Sequence, residues 1–128
     1  MKALVVDDSR AIRVILTQML KALGYQPAEA RHGREAYLYL QANPDTTLAL
    51  IDWNMPEMNG LELVQAVSAD ATLSGVRMVM VTTEIEMSQM VKALEAGAHE
   101  YVMKPFTKAT IEDKLRLLGL PTSTGAAA

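Results

Sequence analysis

At 128 residues, 50% of them hydrophobic and 21% charged, the chain has the size and make-up of one globular domain that folds without cross-links. It contains no cysteine, which excludes disulfide scaffolds, thiol nucleophiles and thiolate zinc sites. The formal net charge is -3, and no cluster of excess Lys and Arg marks a nucleic-acid footprint. Asp7, Asp8 and Arg10 end the first apolar run too soon for a secretory signal. No stretch approaches the roughly 20 apolar residues of a membrane span. The expectation is a cytoplasmic protein that engages neither nucleic acid nor membrane.

In chain order, Ala3 to Val6 is a continuous apolar run closed by Asp7-Asp8 and predicts a buried strand. Ile12, Ile15, Leu16, Met19, Leu20 and Leu23 then recur at helical spacing, with Ser9 placed as N-cap and Gly24 as stop. Gln26 to Ala30 is a weak strand, followed by a helix over Arg34 to Asn43. Leu48 to Ile51 is a buried strand ending at Asp52, and Leu61 to Ser68 a helix. Met78 to Val81 is a strand closed by Thr82-Thr83, and Met87 to Ala96 a helix stopped by Gly97. Tyr101 to Met103 is a brief buried strand ending in Lys104, and Thr107 to Leu118 a helix capped by Thr107 and stopped by Gly119. Strand then helix, five times over, with near-continuous apolar strands, predicts a doubly wound α/β fold around a parallel sheet covered on both faces. One domain spans 1–120, and Pro121 to Ala128, without periodicity, is a flexible tail or the stub of a linker.

In an open parallel sheet the ligand site lies at the carboxyl ends of the strands. Those ends carry Asp7, Asp8, Asp52, Thr82 and Lys104. Two unit charges about 4 Å apart repel by roughly 4 kcal/mol at the effective dielectric near a protein surface, so three carboxylates need relief. A hard divalent cation held by a few carboxylates and waters, Mg2+ above all, supplies it, and Lys104 adds a fixed positive charge. Such a site orients a phosphoryl donor for in-line attack by a carboxylate. Asp52, alone at its strand end, is the nucleophile candidate; Asp7 and Asp8 share the metal, and Thr82 and Lys104 meet the transferred group.

Taken singly, each residue has a plainer reading. Asp7-Asp8 is a helix cap, Asp52 a polar strand end before a turn, Thr82 a strand-end hydroxyl bonded to backbone, and Lys104 a solvated lysine at a turn. His32 and His99 are isolated surface residues, and Trp53 and Tyr101 are packing residues. The joint pattern is what favours chemistry.

Val5-Val6-Asp7-Asp8-Ser9, Ile51-Asp52-Trp53-Asn54-Met55-Pro56 with Gly60-Leu61-Glu62-Leu63, Val81-Thr82, and Tyr101-Val102-Met103-Lys104-Pro105-Phe106 together resemble the receiver domain of bacterial two-component response regulators. The resemblance covers residues 1–120 and implies a flavodoxin-like five-stranded sheet of order 2-1-3-4-5. It implies Asp52 as phospho-acceptor, Mg2+ held by Asp7, Asp8, Asp52 and the Asn54 backbone, and Thr82 and Lys104 gripping the phosphoryl group. Tyr101 matches the switch aromatic, and Pro105 the proline whose peptide bond is typically cis. Asp-Trp-Asn-Met-Pro, Glu84 and the absence of an output domain are similar to the single-domain, CheY-like chemotaxis regulators. Asn54 and Glu84 fall at the two positions that tune autodephosphorylation. The implied partners are a CheA-like sensor histidine kinase, a phosphatase, and a downstream target such as the flagellar motor switch, with the chain itself a monomer. Thr83, larger than usual beside the switch threonine, and Ile85-Glu86-Met87, in place of lysines, depart from that subtype.

Three alternatives stand beside this one. A dehalogenase-type phosphatase also uses a strand-end Asp with Mg2+, but needs a second carboxylate where Asn54 stands. A nucleotide or flavin binder lacks its Gly-rich loop. Within the receiver reading, the chain is a receiver cut from a longer regulator, or a shuttle in a phosphorelay outside chemotaxis.

Overall fold

The computed structural model describes residues 1–53, 55, 58–82 and 87–122, apart from the side chains at 87 and 88. Five strands, β1 (Lys2–Val6), β2 (Gln26–Ala30), β3 (Leu48–Asp52), β4 (Arg77–Thr82) and β5 (Glu100–Met103), alternate with five helices. These are α1 (Arg10–Ala22), α2 (Gly33–Ala42), α3 (Gly60–Ser68), α4 (Met87–Ala96) and α5 (Lys108–Leu117), and a 3-10 turn over Ala71–Leu73 precedes β4. The sheet is parallel throughout, in the order β2-β1-β3-β4-β5. The chain therefore has the doubly wound, flavodoxin-like arrangement that the strand-helix alternation predicts.

Period-2 alternation along the strands builds two cores. Leu4, Val6, Ala49, Ile51, Met78 and Met80 face Ala36, Leu40, Leu63, Val64 and Ala93 on the α2-α3-α4 side. Ala3, Val5, Leu48, Leu50, Val79, Val81 and Val102 face Leu16, Leu20, Ile111 and Leu115 on the α1-α5 side. Every residue of central β3 is buried, which is why its sequence is apolar without alternation. The edges differ. Pro27 is tolerated in β2 because an edge strand has one side without a ladder to serve.

Two expectations about burial are corrected. Only Val102 of the Tyr101 to Met103 run is buried; β5 is the other edge, and Met103 is 50% exposed. On α1 the buried positions are Arg13, Leu16, Thr17 and Leu20, so Ile15 points away from the sheet and is 43% exposed. The helical stripe is rotated from the purely apolar one because an arginine and a threonine occupy two of its core-facing positions.

The helix signals act as predicted. Ser9 and Thr107 accept hydrogen bonds from the backbone of Ile12 and Thr110, and Gly24, Gly97 and Gly119 carry the positive φ that ends α1, α4 and α5. His32 is half-buried and caps α2, its Nδ1 accepting from the Glu35 N–H at 3.2 Å. His99 is exposed, and its Nδ1 accepts from the Met78 N–H. The Tyr25 hydroxyl donates to the Pro121 carbonyl at 2.7 Å; residues 123–128 of the expected tail lie outside the described residues.

Gly60 lets the start of α3 lie against the end of β3. Its N–H donates to the Trp53 carbonyl at 3.0 Å, and a Cβ there would stand 2.5 Å from the Asp52 carbonyl oxygen, 2.8 Å from the Met80 methyl and 3.0 Å from the Trp53 Cα. Gly60→Ala is expected to cost about 1–3 kcal/mol in urea denaturation, because two of those neighbours are backbone atoms and cannot turn aside.

Candidate functional site

The strand register sets the site. Val6 pairs with Ile51, Asp52 with Val81, and Thr82 with Met103, so Asp52 and Thr82 end their strands, Asp7 and Lys104 follow theirs directly, and all four lie along one edge of the sheet. Carboxylate oxygens of Asp7, Asp8 and Asp52 lie within 4.8 Å of one another. Lys104 is far from a solvated turn lysine. Its side chain is 15% exposed, and its Nζ donates to Asp7 Oδ2 at 3.1 Å and to Asp52 Oδ1 at 3.3 Å. The Lys104 N–H donates to the Thr82 carbonyl at 2.8 Å, and the Lys104-Pro105 peptide is cis.

Asp7 is held on every side. Its N–H donates to the Ala30 carbonyl, its Oδ1 accepts from the Ser9 N–H at 2.9 Å, and its carbonyl accepts from Arg13 Nη1 at 2.8 Å. The cap of α1 is Ser9, which leaves the two aspartates free of that duty. Asp8 is exposed at the mouth of the site.

Burial, and after it the charge of Asp7, push the Asp52 carboxyl up from 3.8 to about 6, against the pull of Lys104; Asp8 adds to the rise. Burial opposes the Lys104 charge, yet its hydrogen bonds and attraction to Asp7 and Asp52 outweigh that and raise its pKa. One ammonium therefore does not neutralise this cluster. Three convergent carboxylates with charge still unrelieved form a hard, all-oxygen donor set, and this is the chemistry that suits Mg2+.

Thr82 is buried at the end of β4. Tyr101 is half-buried on β5, packed against the α2-α3-α4 core. Lys114 Nζ stands 4.5 Å from the centre of its ring, and Glu100 Oε1 accepts from both that Nζ and the Tyr101 N–H. Asn54, Thr83, Glu84, Ile85 and Glu86 lie outside the described residues, as does the Met87 side chain. Sequence reasoning passed over Arg13, which bonds Asp7 and, through Nε, Glu29 at 2.9 Å. The available signal was its place among core-facing positions of α1, three residues before Leu16 and seven before Leu20.

A parallel sheet of order 2-1-3-4-5 with an acidic cluster and a lysine at its carboxyl edge defines a class, and comparison with known proteins gives the same one. Residues 3–116 match the response regulator receiver domain, and the chain belongs to that family. It is 45% identical over 119 residues to the chemotaxis protein CheY1 of Helicobacter pylori, covering 92% of this chain and 96% of the relative. The CheY homolog of Campylobacter jejuni is 45% identical over 129 residues, 99% of either chain. The solved chemotaxis protein CheY4 of Vibrio cholerae superposes with a TM-score of 0.84 at 33% identity, over 91% of this chain and 96% of that one. The chain is thus a CheY-like receiver, a signalling switch rather than a metabolic enzyme, which sets aside the dehalogenase-type phosphatase and the nucleotide binder. Among the described residues no helix is long and apolar enough to cross a membrane.

The raised Asp52 value has a sign. The folded chain holds that proton more tightly than the unfolded chain, so the contribution to stability is fully present below pH about 4 and is lost as pH rises through about 6. In Mg2+-free buffer at pH 7, Asp52→Asn is expected to stabilise the fold by about 1–2 kcal/mol, and to leave it nearly unchanged at pH 4, by urea denaturation. A variant less stable than the parent at pH 7 would contradict this electrostatic account.

Proposed function

We propose that Asp52 accepts a phosphoryl group from a phosphohistidine on a CheA-like sensor kinase, and that the modified residue switches a partner-binding surface in chemotaxis signalling. The observation that carries this reading is the convergence of the Asp52 carboxylate with those of Asp7 and Asp8, together with the half-buried Lys104 bonded to Asp52 and Asp7. An Asp52 oxygen attacks phosphorus in line, the P–N bond to imidazole breaks, and an acyl phosphate forms on the carboxylate. Lys104, already bonded to Asp52, transfers a hydrogen bond to a phosphoryl oxygen, and the Thr82 hydroxyl donates to another. Asp7, Asp8 and Asp52, with the backbone of Asn54 as the resemblance implies, would hold Mg2+, which would neutralise carboxylate and phosphoryl charge. Asn54 and Glu84, at the two sequence positions that tune autodephosphorylation in such receivers, set how soon water removes the phosphoryl group.

Switching follows from differential binding. Moving a two-state equilibrium from 1:99 to 99:1 takes about 5.5 kcal/mol, which two or three charge-assisted bonds made only in the active state supply. Thr82 moves toward the phosphoryl group, Tyr101 turns into the space behind it, and the face of α4, β5 and α5 changes shape for its target, such as the flagellar motor switch. The similarity to CheY proteins of two chemotactic species supports this output over other relays.

The kinase needs a seat beside Asp52. Ile12, Ile15, Pro105 and Phe106 line an apolar cleft of about 400 Å³ that reaches Lys104, and the exposed Ile15 stands at its edge. An apolar partner surface seated there brings its phosphohistidine to the acidic site.

Two outcomes test these assignments. Asp52→Asn abolishes Mg2+-dependent labelling by acetyl phosphate, measured by intact-protein mass spectrometry; full labelling of that variant would overturn the acceptor assignment. Ile15→Asp slows transfer from the phosphorylated kinase by about tenfold while acetyl phosphate labelling stays at the parent rate, because only the protein donor uses the cleft. Equal loss with both donors would place the defect in the site and remove the docking role.

A further inference from the structure

We propose that Arg13 is a positioning residue for the carboxylate site, acting by clamping the peptide between Asp7 and Asp8. This deepens the proposed function and rests on the Mg2+ reading of the acidic cluster. The Arg13 side chain is 10% exposed, and a buried guanidinium is stable only with its donors matched. Its Nη1 donates to the Asp7 carbonyl at 2.8 Å and its Nε to Glu29 Oε1 at 2.9 Å. The Asp7 N–H is meanwhile bonded to the Ala30 carbonyl of β2. Both peptide groups flanking Asp7 are therefore fixed, one by the neighbouring strand and the other by a side chain from α1.

The second of these matters for the site because the Asp7 carbonyl belongs to the peptide that carries Asp8. Among the described residues no hydrogen bond holds the Asp8 carboxylate, so its direction follows from that peptide plane. A displacement of that peptide would tilt Asp8 relative to Asp7, which stays anchored by Ser9 and Lys104. Arg13 thus holds the relative placement of the two carboxylates that share the ion. Glu29, exposed on an edge strand, fixes the other arm of the fork and so the plane of the guanidinium. A lysine at this position has a single donor centre and cannot span the Asp7 carbonyl and Glu29 with the same geometry.

The test compares Arg13→Ala and Arg13→Lys with Leu16→Ala, which opens a cavity one turn further along α1 without touching Asp7. Mg2+ affinity is read by isothermal titration calorimetry without phosphoryl donor, and stability by urea denaturation. Arg13→Ala is expected to weaken Mg2+ binding about tenfold or more, and Arg13→Lys by about threefold, as is usual when a group orienting a metal ligand is lost. Leu16→Ala stays within about twofold of the parent although it loses at least as much stability. Parent-like affinity in Arg13→Ala, or in Arg13→Lys should the alanine variant not fold, overturns the proposal. So does an equal loss of affinity in Leu16→Ala, which would make Arg13 a packing residue only. A parent chain that fails to bind Mg2+ overturns the metal reading and this inference with it, and is distinguished from failure of Arg13 alone by the parent titration.

Discussion

The mutual repulsion of Asp7, Asp8 and Asp52 is the constraint around which the molecule is organised. Their oxygens converge within 4.8 Å at the edge of a sheet whose other contacts are apolar, and a single lysine bridges two of them. Those partners stand 97 and 52 residues from Lys104 in sequence, so the bridge exists only once β1, β3, β4 and β5 are assembled into one sheet. The two cores beneath the site must therefore hold the carboxylates together against a force that local structure does nothing to relieve. The Asp52 carboxyl is pushed up to about 6 chiefly by its burial, with the charge of Asp7 adding to the rise and Lys104 opposing it.

The distribution of burial matches the work asked of each strand. β3, which presents Asp52, is buried along its whole length in the middle of the sheet, and Asp7 is anchored through its N–H, its carbonyl and its carboxylate. β5 is an edge strand with one residue fully buried, and it carries Tyr101 with Lys114 over the ring. In the proposed switch the reacting carboxylate stays fixed while the edge moves. Rearranging a half-exposed tyrosine and its salt-bridged neighbours disturbs far less packing than moving β3 would.

Most of this was legible in the sequence, for a physical reason. A parallel sheet buried on both faces demands continuous apolar strands, so polar residues that interrupt such runs mark strand ends, and strand ends in this topology share one edge. Asp7, Asp8, Asp52, Thr82 and Lys104 were placed at that edge without coordinates. Hidden were the features that depend on which side of an element meets solvent. Ile15 and Met103 look like core residues by hydrophobicity and are exposed, one because the α1 stripe is rotated and the other because β5 has no outer neighbour. Arg13 looks like a surface residue by charge and is buried, because two acceptors unrelated to it in the local sequence pattern satisfy its fork. His32 carried no helix-capping signal, since an imidazole nitrogen is a rare substitute for the Ser, Thr or Asp that usually caps.

Lys104 gives the site its asymmetry. In the unmodified chain its ammonium is already committed to Asp7 Oδ2 and Asp52 Oδ1, and Asp7 Oδ1 is committed to the Ser9 N–H. A residue bonded this well in the resting state contributes to switching only through the difference between old and new partners, because equal stabilisation of both states shifts nothing. In the proposed function a phosphoryl group on Asp52 would supply that difference: it would remove the carboxylate charge that Lys104 bridges and offer instead oxygens carrying roughly -1.5 to -2 charge. In the proposed switch the lysine exchanges one carboxylate partner for a phosphoryl oxygen at the end of β5, where its own N–H is bonded to the Thr82 carbonyl of β4. On that proposal, the ammonium that bridges the crowded carboxylates at rest is also what would link chemistry at β3 to the β5 edge of the sheet.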